Sequence, residues 1–295
     1  MKTNYDFAIA IHGGAGNIST EMPDSIRDLY LNAIDSALMI GQQILENGGT
    51  SKDAVVKTII FMENHPLFNA GRGAVITRKG TIEHDASIMD GKTLNAGAIA
   101  GVRHIKNPII LANEVMKDGE NVLLACSGAE EFAKKKGIEL IDTGYFYTSG
   151  RLKQYQDTKI KGTVGCVAID KQGNLCAGTS TGGRANKEHG RIGDSPIIGA
   201  GTYADNSTCA VSCTGHGEFF IRYCVAHDIS ALMKYKGLAL QQAANHVVQD
   251  KLEKANGTGG IIAIDTMGNI AFSFNTTAMF RGYIDKDGEK VTAIF

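Results

Sequence analysis

The chain has 295 residues, 43% of them hydrophobic, enough to bury one large core or two ordinary ones. Its 30 basic and 31 acidic residues leave a net charge of −1, with no long single-sign run beyond Lys134-Lys135-Lys136. That balance argues against nucleic acid or an anionic membrane as partner, and no 18-residue apolar stretch offers a membrane span.

Residues 7–11 form a short apolar run, too short for a signal-peptide core, so the protein is expected to be cytoplasmic. The run reads as a core strand that closes on a glycine turn, His12-Gly13-Gly14-Ala15-Gly16. Ile26, Leu29, Tyr30, Ile34, Leu38 and Ile44 recur at helical spacing and predict a helix over 24–46, ended by Gly48-Gly49. Thr50-Ser51-Lys52-Asp53 resembles a capping box and opens a second helix, limited by Pro66. Residues 69–100 read as short strands with turns at Lys79-Gly80 and Asp90-Gly91. A helix from about Pro108, a strand over 122–126 and a helix over 130–136 follow. Residues 137–161 are polar without clear period and read as a surface loop or linker.

The second half opens with a hairpin, 164–170 and 175–181, around Lys171-Gln172-Gly173-Asn174. Ile262-Ala263-Ile264-Asp265 with Gly268-Asn269 repeats its grammar, which places two similar hairpins in facing or neighbouring sheets. Between them are predicted a strand over 208–213, a helix from near Gly217 past Met233, and another over 238–254. The order suggests an α+β layered fold. Six cysteines (126, 166, 176, 209, 213, 224) form no CxxC pair and read as buried reduced thiols.

Gly162-Thr163-Val164-Gly165 carries the chemistry. An internal Thr hydroxyl is a weak nucleophile without an adjacent base. Cutting the chain before Thr163 would supply one, because a free α-amino group has a pKa of about 7.7–8.0 and rides on the same residue. Gly162, lacking Cβ, suits the strained backbone that such a cut requires. Gly178-Thr179-Ser180-Thr181-Gly182 makes Ser180 a rival nucleophile, but a nucleophile elbow should lead into a helix and glycines follow instead. Gly91-Lys92-Thr93 lacks the rest of a phosphate-binding loop, and Cys209, Cys213, His216 and Glu218 match no zinc spacing. Arg191 and Asp194, three apart in a glycine-rich loop, suit a zwitterion: guanidinium on an α-carboxylate, carboxylate on an α-ammonium. Thr214-Gly215-His216-Gly217-Glu218, between a strand and a helix, offers donors for an oxyanion.

Together with Phe68-Asn69-Ala70-Gly71-Arg72-Gly73, these motifs resemble the plant-type L-asparaginase and isoaspartyl peptidase family over nearly the whole chain. The resemblance implies a four-layer αββα sandwich of the N-terminal-nucleophile hydrolase type, one domain self-cleaved into 1–162 and 163–295, and a homodimer of cleaved αβ units. It implies Thr163 as nucleophile with its freed amine as base, Thr181 orienting it, and Asn69 holding the nucleophile region. Thr214 and the Gly215 N–H would bind the oxyanion, Arg191 the substrate α-carboxylate, and Asp194 with the Gly217 carbonyl its α-amine. No catalytic cofactor is implied, only a structural Na⁺ on main-chain carbonyls of Met62, Glu63, His65, Phe68, Ala70 and Arg72. The implied substrates are L-asparagine and β-aspartyl dipeptides. A glycosylasparaginase is the related alternative, and a serine hydrolase using Ser180 or a non-catalytic binding protein are alternatives of other classes.

Overall fold

The computed structural model describes residues 6–150, 152 and 162–295. An eight-stranded sheet is built from β1 (Ala8–Gly16), β2 (His84–Asp90), β3 (Ala96–Val102), β4 (Leu123–Ala125), β5 (Val164–Ile169), β6 (Leu175–Thr181), β11 (Ala278–Ile284) and β12 (Lys290–Ala293). Its order is β12-β11-β1-β5-β6-β2-β3-β4, antiparallel throughout except between β3 and β4. The second sheet runs β10-β9-β8-β7, from β7 (Thr202–Ala204), β8 (Cys209–Gly215), β9 (Gly259–Asp265) and β10 (Ile270–Phe274).

Strand alternation generates the layers. On β1, Ile9 and Ile11 point outward into a core shared with the helices α1 (Asp24–Glu46), α2 (Ser51–Asn64), α3 (Pro108–Asp118) and α4 (Cys126–Lys135). Ala8 and Ala10 point the other way, into a core with Val167, Ala177, Ala210, Ile262 and Ile264 that lies between the sheets. Cys209, Val211, Cys213, Ile261 and Ala263 form a third core against α5 (Gly217–Tyr223), α6 (Val225–Lys236) and α7 (Leu240–Asn245). Helix, sheet, sheet, helix is the resulting stack, an α+β four-layer sandwich. The central strands β1, β5, β6, β8 and β9 are buried on both faces and read as near-continuous apolar runs, whereas β10 alternates buried and half-buried positions.

Several expectations are met and several corrected. Thr50 caps α2 by accepting from the Asp53 N–H at 3.1 Å, and Pro108 opens α3. The two similar hairpins do face each other, β5–β6 in one sheet and β9–β10 in the other. The glycine motif after Ile11 is not a turn: β1 continues to Gly16, with a bulge between His12 and Gly14. Of 69–100, only β2 and β3 are strand, and 69–83 are irregular around a short 3₁₀ turn at Gly71–Gly73. The long helix expected from Gly217 breaks at Cys224, which adopts φ 48°, and gives α5 and α6. The helix over 238–254 begins only at Leu240 and widens to π geometry over His246–Leu252. The presumed surface linker is partly core, because Phe146 is fully buried with Ala74, Ile76 and Ile82, while residues 151 and 153–161 lie outside the described residues. Cys126 and Cys224 are exposed and the other four thiols buried. Among the described residues, no helix is long and apolar enough to cross a membrane.

Candidate active site

Register brings the first pair together. Val164 pairs with Ser180 across β5 and β6, so Thr163, one residue before β5, lies opposite Thr181 at the end of β6. Both belong to the alternate set that faces the space between the sheets. There the Thr163 hydroxyl donates to the Thr181 hydroxyl at 3.1 Å. Thr181 accepts a second bond from the Gly183 N–H at 2.9 Å and donates its own proton to the Gly162 carbonyl at 3.3 Å. Ser180 is on the opposite face, fully buried, and donates to the Glu63 carboxylate on α2 at 2.7 Å. One position along a strand therefore removes the rival nucleophile from the site.

Asn69 completes this corner. Its Nδ2 donates to the carbonyls of Gly162 and Gly183, both at 2.6 Å, and its Oδ1 accepts from the Val75 N–H at 2.9 Å. The carbonyl of the Gly162–Thr163 peptide thus carries two donors, Asn69 and Thr181. Gly14 passes over the same peptide: a Cβ there would sit 2.6 Å from Gly162 Cα, and its φ of 113° is one that only glycine tolerates well.

Sequence reasoning missed His12. On β1 it pairs with Gly165, and its Nδ1–H donates to the Thr163 carbonyl at 3.0 Å while Nε2 accepts from the Ser212 hydroxyl at 3.0 Å. Burial drives its pKa down to about 3, outweighing the bond from Thr163, so the ring is neutral and can play both roles. Hydroxyls continue inward from Ser212 to Thr179 at 2.7 Å, from Thr179 to Thr202 at 2.6 Å and on to Ser87 at 2.8 Å. Gly165 makes room for this arrangement, because a Cβ there would lie 2.0 Å from Ser212 Oγ and 2.2 Å from His12 Nε2.

Thr214 and Gly215 end β8, on the facing sheet, with the Thr214 hydroxyl accepting from the Ala15 N–H at 3.4 Å. Beyond them, Arg191 is clamped by Glu218 through Nε at 3.1 Å and Nη2 at 2.8 Å. Burial alone would raise the Glu218 carboxyl, yet the Arg191 hydrogen bonds and charge hold it down to about 2. Glu218, too, was missed as a site residue. Asp194 is buried beside the guanidinium, and burial pushes its carboxyl up to about 7 against the opposing pull of Arg191. Its Oδ2 has no hydrogen-bond partner among the described residues. A Cβ on Gly217 would stand 2.8 Å from Asp194 Oδ1 and 3.0 Å from Arg191 Nη2. The absent side chain leaves a small space between a cation and a carboxylate.

The chain around Asn69 curls tightly. Cβ atoms on Gly71 and Gly73 would come within 2.4 Å of the Glu63 oxygen and 2.0 Å of the Phe68 oxygen, so both glycines are needed for that curl. Among the described residues, no cluster of three or more His, Cys, Asp or Glu could hold a metal.

The sequence pattern of the asparaginase family Asparaginase_2 matches residues 5–162 and 153–294. The chain is 48% identical to the isoaspartyl peptidase of Escherichia coli K12 over 294 residues, covering 93% of this chain and 92% of that protein. It is 46% identical to the isoaspartyl peptidase of Salmonella typhimurium, covering 93% and 94%. It is 41% identical to the probable isoaspartyl peptidase/L-asparaginase 2 of Arabidopsis thaliana, covering 98% and 99%. With that likeness spanning both sheets, the chain belongs to the Asparaginase_2 family of asparaginases, whose fold is that of the N-terminal-nucleophile hydrolases.

Proposed function

We propose that the chain cuts itself between Gly162 and Thr163 and then hydrolyses β-aspartyl dipeptides and L-asparagine to L-aspartate. The observation that carries this reading is the orphaned, buried Asp194 Oδ2 beside Arg191, with Gly217 bare between them. A buried carboxylate oxygen without a partner is costly, and an α-ammonium relieves it. The neighbouring guanidinium takes the α-carboxylate of the same molecule, so the pair selects a free amino-acid head. The curated relatives, named isoaspartyl peptidases and L-asparaginases, agree with that selection.

The self-cut uses the first corner. Thr163 Oγ1 attacks the Gly162 carbonyl carbon and gives its proton to Thr181 Oγ1, whose own proton goes by way of the Gly162 oxygen to the departing Thr163 nitrogen. Asn69 Nδ2 stabilises the negative charge developing on the Gly162 oxygen. The C–N bond breaks, the acyl group moves to Oγ1, and water hydrolyses the ester to leave a Gly162 carboxylate and a Thr163 α-amine. That amine then acts as base. It takes the Oγ1 proton as Oγ1 attacks the substrate's side-chain carbonyl, and delivers it to the departing ammonia or amino acid. Thr214 and the Gly215 N–H hold the oxyanion. Water, deprotonated by the same amine, cleaves the aspartyl ester and restores the hydroxyl. His12 fixes the Thr163 carbonyl throughout.

β1 and β2 belong to residues 1–162 but pair with β5, β11 and β6 from residues 163–295, so the two pieces stay locked in one sheet after the cut. A Na⁺ on the carbonyls of Met62, Glu63, His65, Phe68, Ala70 and Arg72 would add fixed positive charge that stiffens the approach to Asn69. We place the enzyme in the cytoplasm as a homodimer of cleaved αβ units, without catalytic cofactor.

The test compares wild type with Thr163→Ala. Wild type should give two fragments by intact mass, meeting at Gly162 and Thr163, and release aspartate from β-Asp-Leu. The variant should remain one 31.4 kDa chain with no turnover. An uncut, inactive wild type would sink the proposal.

A further inference from the structure

Lys187 lies in the segment between β6 and β7, yet its side chain is only 1% exposed. Its ammonium stands 3.6 Å from Oε2 of Glu83, the residue before β2, and donates to the Glu83 carbonyl at 3.4 Å. Glu83 is as deeply buried, accepts from the Gly190 N–H at 3.1 Å, and has His189 Nδ1 against its other carboxylate oxygen. A lysine is almost never buried this far unless paired, and an apolar pair of similar volume is often as stable as a buried ion pair or more so. Fold stability alone therefore gives no reason for these two charges. Their surroundings give one. Gly183 donates its N–H to Thr181 Oγ1 at 2.9 Å and accepts from Asn69 Nδ2 at 2.6 Å through its carbonyl, so it joins both side chains that hold the Gly162 carbonyl. It adopts φ 85°, and a Cβ there would lie 2.8 Å from Lys187 Cδ and 3.1 Å from Nζ. The Lys187 side chain is the floor on which Gly183 rests. On the far side of the pair, the Gly190 N–H that Glu83 holds belongs to the residue just before Arg191.

We propose that Lys187 and Glu83 are a positioning pair, a buried ion pair that fixes Gly183 beneath Thr181 and Asn69 on one side and the backbone entering Arg191 on the other. The inference rests on the proposed function, because it takes Thr181, Asn69 and Arg191 in the roles given there. Lys187 acts on the nucleophile corner. The charge of Glu83 keeps the ammonium in place, and the ammonium's stem keeps Gly183 from settling away from its two partners. Glu83 acts on the recognition corner, since the carboxylate that holds Lys187 also anchors Gly190. Neither side chain touches the reacting atoms; each sets the place of a group that does.

Removing one charge alone would strand the other, so the test changes both. Two double variants are compared with wild type: Glu83→Met with Lys187→Met, and Glu83→Gln with Lys187→Met. Thermal melts report folding, intact mass against time reports the self-cut, and KM and kcat for L-asparagine are measured on chains cut to completion. Both doubles should melt cooperatively, as neutral pairs of nearly unchanged volume. Both should cut themselves about tenfold or more slowly, because a methionine fills the space under Gly183 without being tied to residue 83, and small misplacements are costly to attack. KM should separate them. With Met at 83 the Gly190 N–H loses its acceptor and KM rises by about tenfold or more, whereas a Gln oxygen still accepts and keeps KM near that of wild type. Folded doubles that cut at the wild-type rate overturn the role of Lys187, and a KM raised equally in both overturns that of Glu83. Doubles without a cooperative melt would make the pair a stability element and overturn the proposal as well. All three outcomes leave the function standing; a wild type that neither cuts nor turns over overturns the function itself.

Discussion

The nucleophile corner and the recognition corner lie in one pocket, yet their polar groups are in opposite condition. Around Thr163 the polar side chains are engaged: Thr181 makes three bonds, Asn69 three, and neutral His12 uses both nitrogens. Around Arg191 one carboxylate, Glu218, is saturated, and the other, Asp194, is buried with an empty oxygen. Under the proposed function, a corner complete without substrate would act on its own chain first. Under the same reading, a corner left short of one cation would bind a molecule that brings it.

Breaking the complete corner should have the largest effect. Asn69→Ala removes one of two donors from the Gly162 carbonyl and should slow the self-cut by about 10²- to 10³-fold, the loss typical of one oxyanion donor. A time course of chain cleavage by mass spectrometry measures it, and an unaltered rate would reduce Asn69 to a packing role.

The incomplete corner should answer to pH. Because burial has lifted Asp194 to about 7, acidification below 7 protonates it in the empty enzyme, and a neutral acid cannot pair with an ammonium. KM for β-Asp-Leu should rise about tenfold for each pH unit below 7. Stability runs the other way: a carboxyl whose folded pKa is raised contributes stability that is present in acid and lost as the pH climbs through 7. Asp194→Asn should therefore abolish capture yet raise Tm at pH 8 relative to wild type. A variant that melts lower at pH 8 would contradict the empty-oxygen account.

The smallest effect sharpens the contrast between neighbours on β6. Ser180→Ala strands a hydrogen-bonding position of Glu63, which burial has already raised to about 7, and should cost about 1–3 kcal/mol of stability. Turnover of the folded variant should be that of wild type, measured as kcat/KM per cut chain. A dead but folded Ser180→Ala would return that residue to the reaction.

The elements most legible in the sequence were those marked by local chemistry. Thr50 and Pro108 announced helix starts, and Gly173-Asn174 and Gly268-Asn269 announced hairpins, because caps and tight turns are satisfied within a few residues. The break at Cys224 was hidden, since a non-glycine residue there adopts the left-handed region under packing from distant elements. β7, β11 and β12 also went unread, and β1 looked finished at its first glycines, because strands owe their existence to partners far along the chain.

What the sequence determined by itself was the supply of groups: a Gly-Thr junction, a cation and carboxylate three apart, a strand-ending Thr-Gly, and apolar runs long enough for sheets buried on both sides. Only the tertiary structure decided their use. Thr163 and Thr214 come from different sheets, and Thr181 faces Thr163 while Ser180 does not, a choice made by strand register and the two-residue alternation of side chains. His12 and the empty oxygen of Asp194 acquire meaning only once burial has removed the water that would otherwise satisfy them, and Glu218 only once folding has brought it to Arg191. That is the physical reason the site could be assembled from motifs but its electrostatics could not.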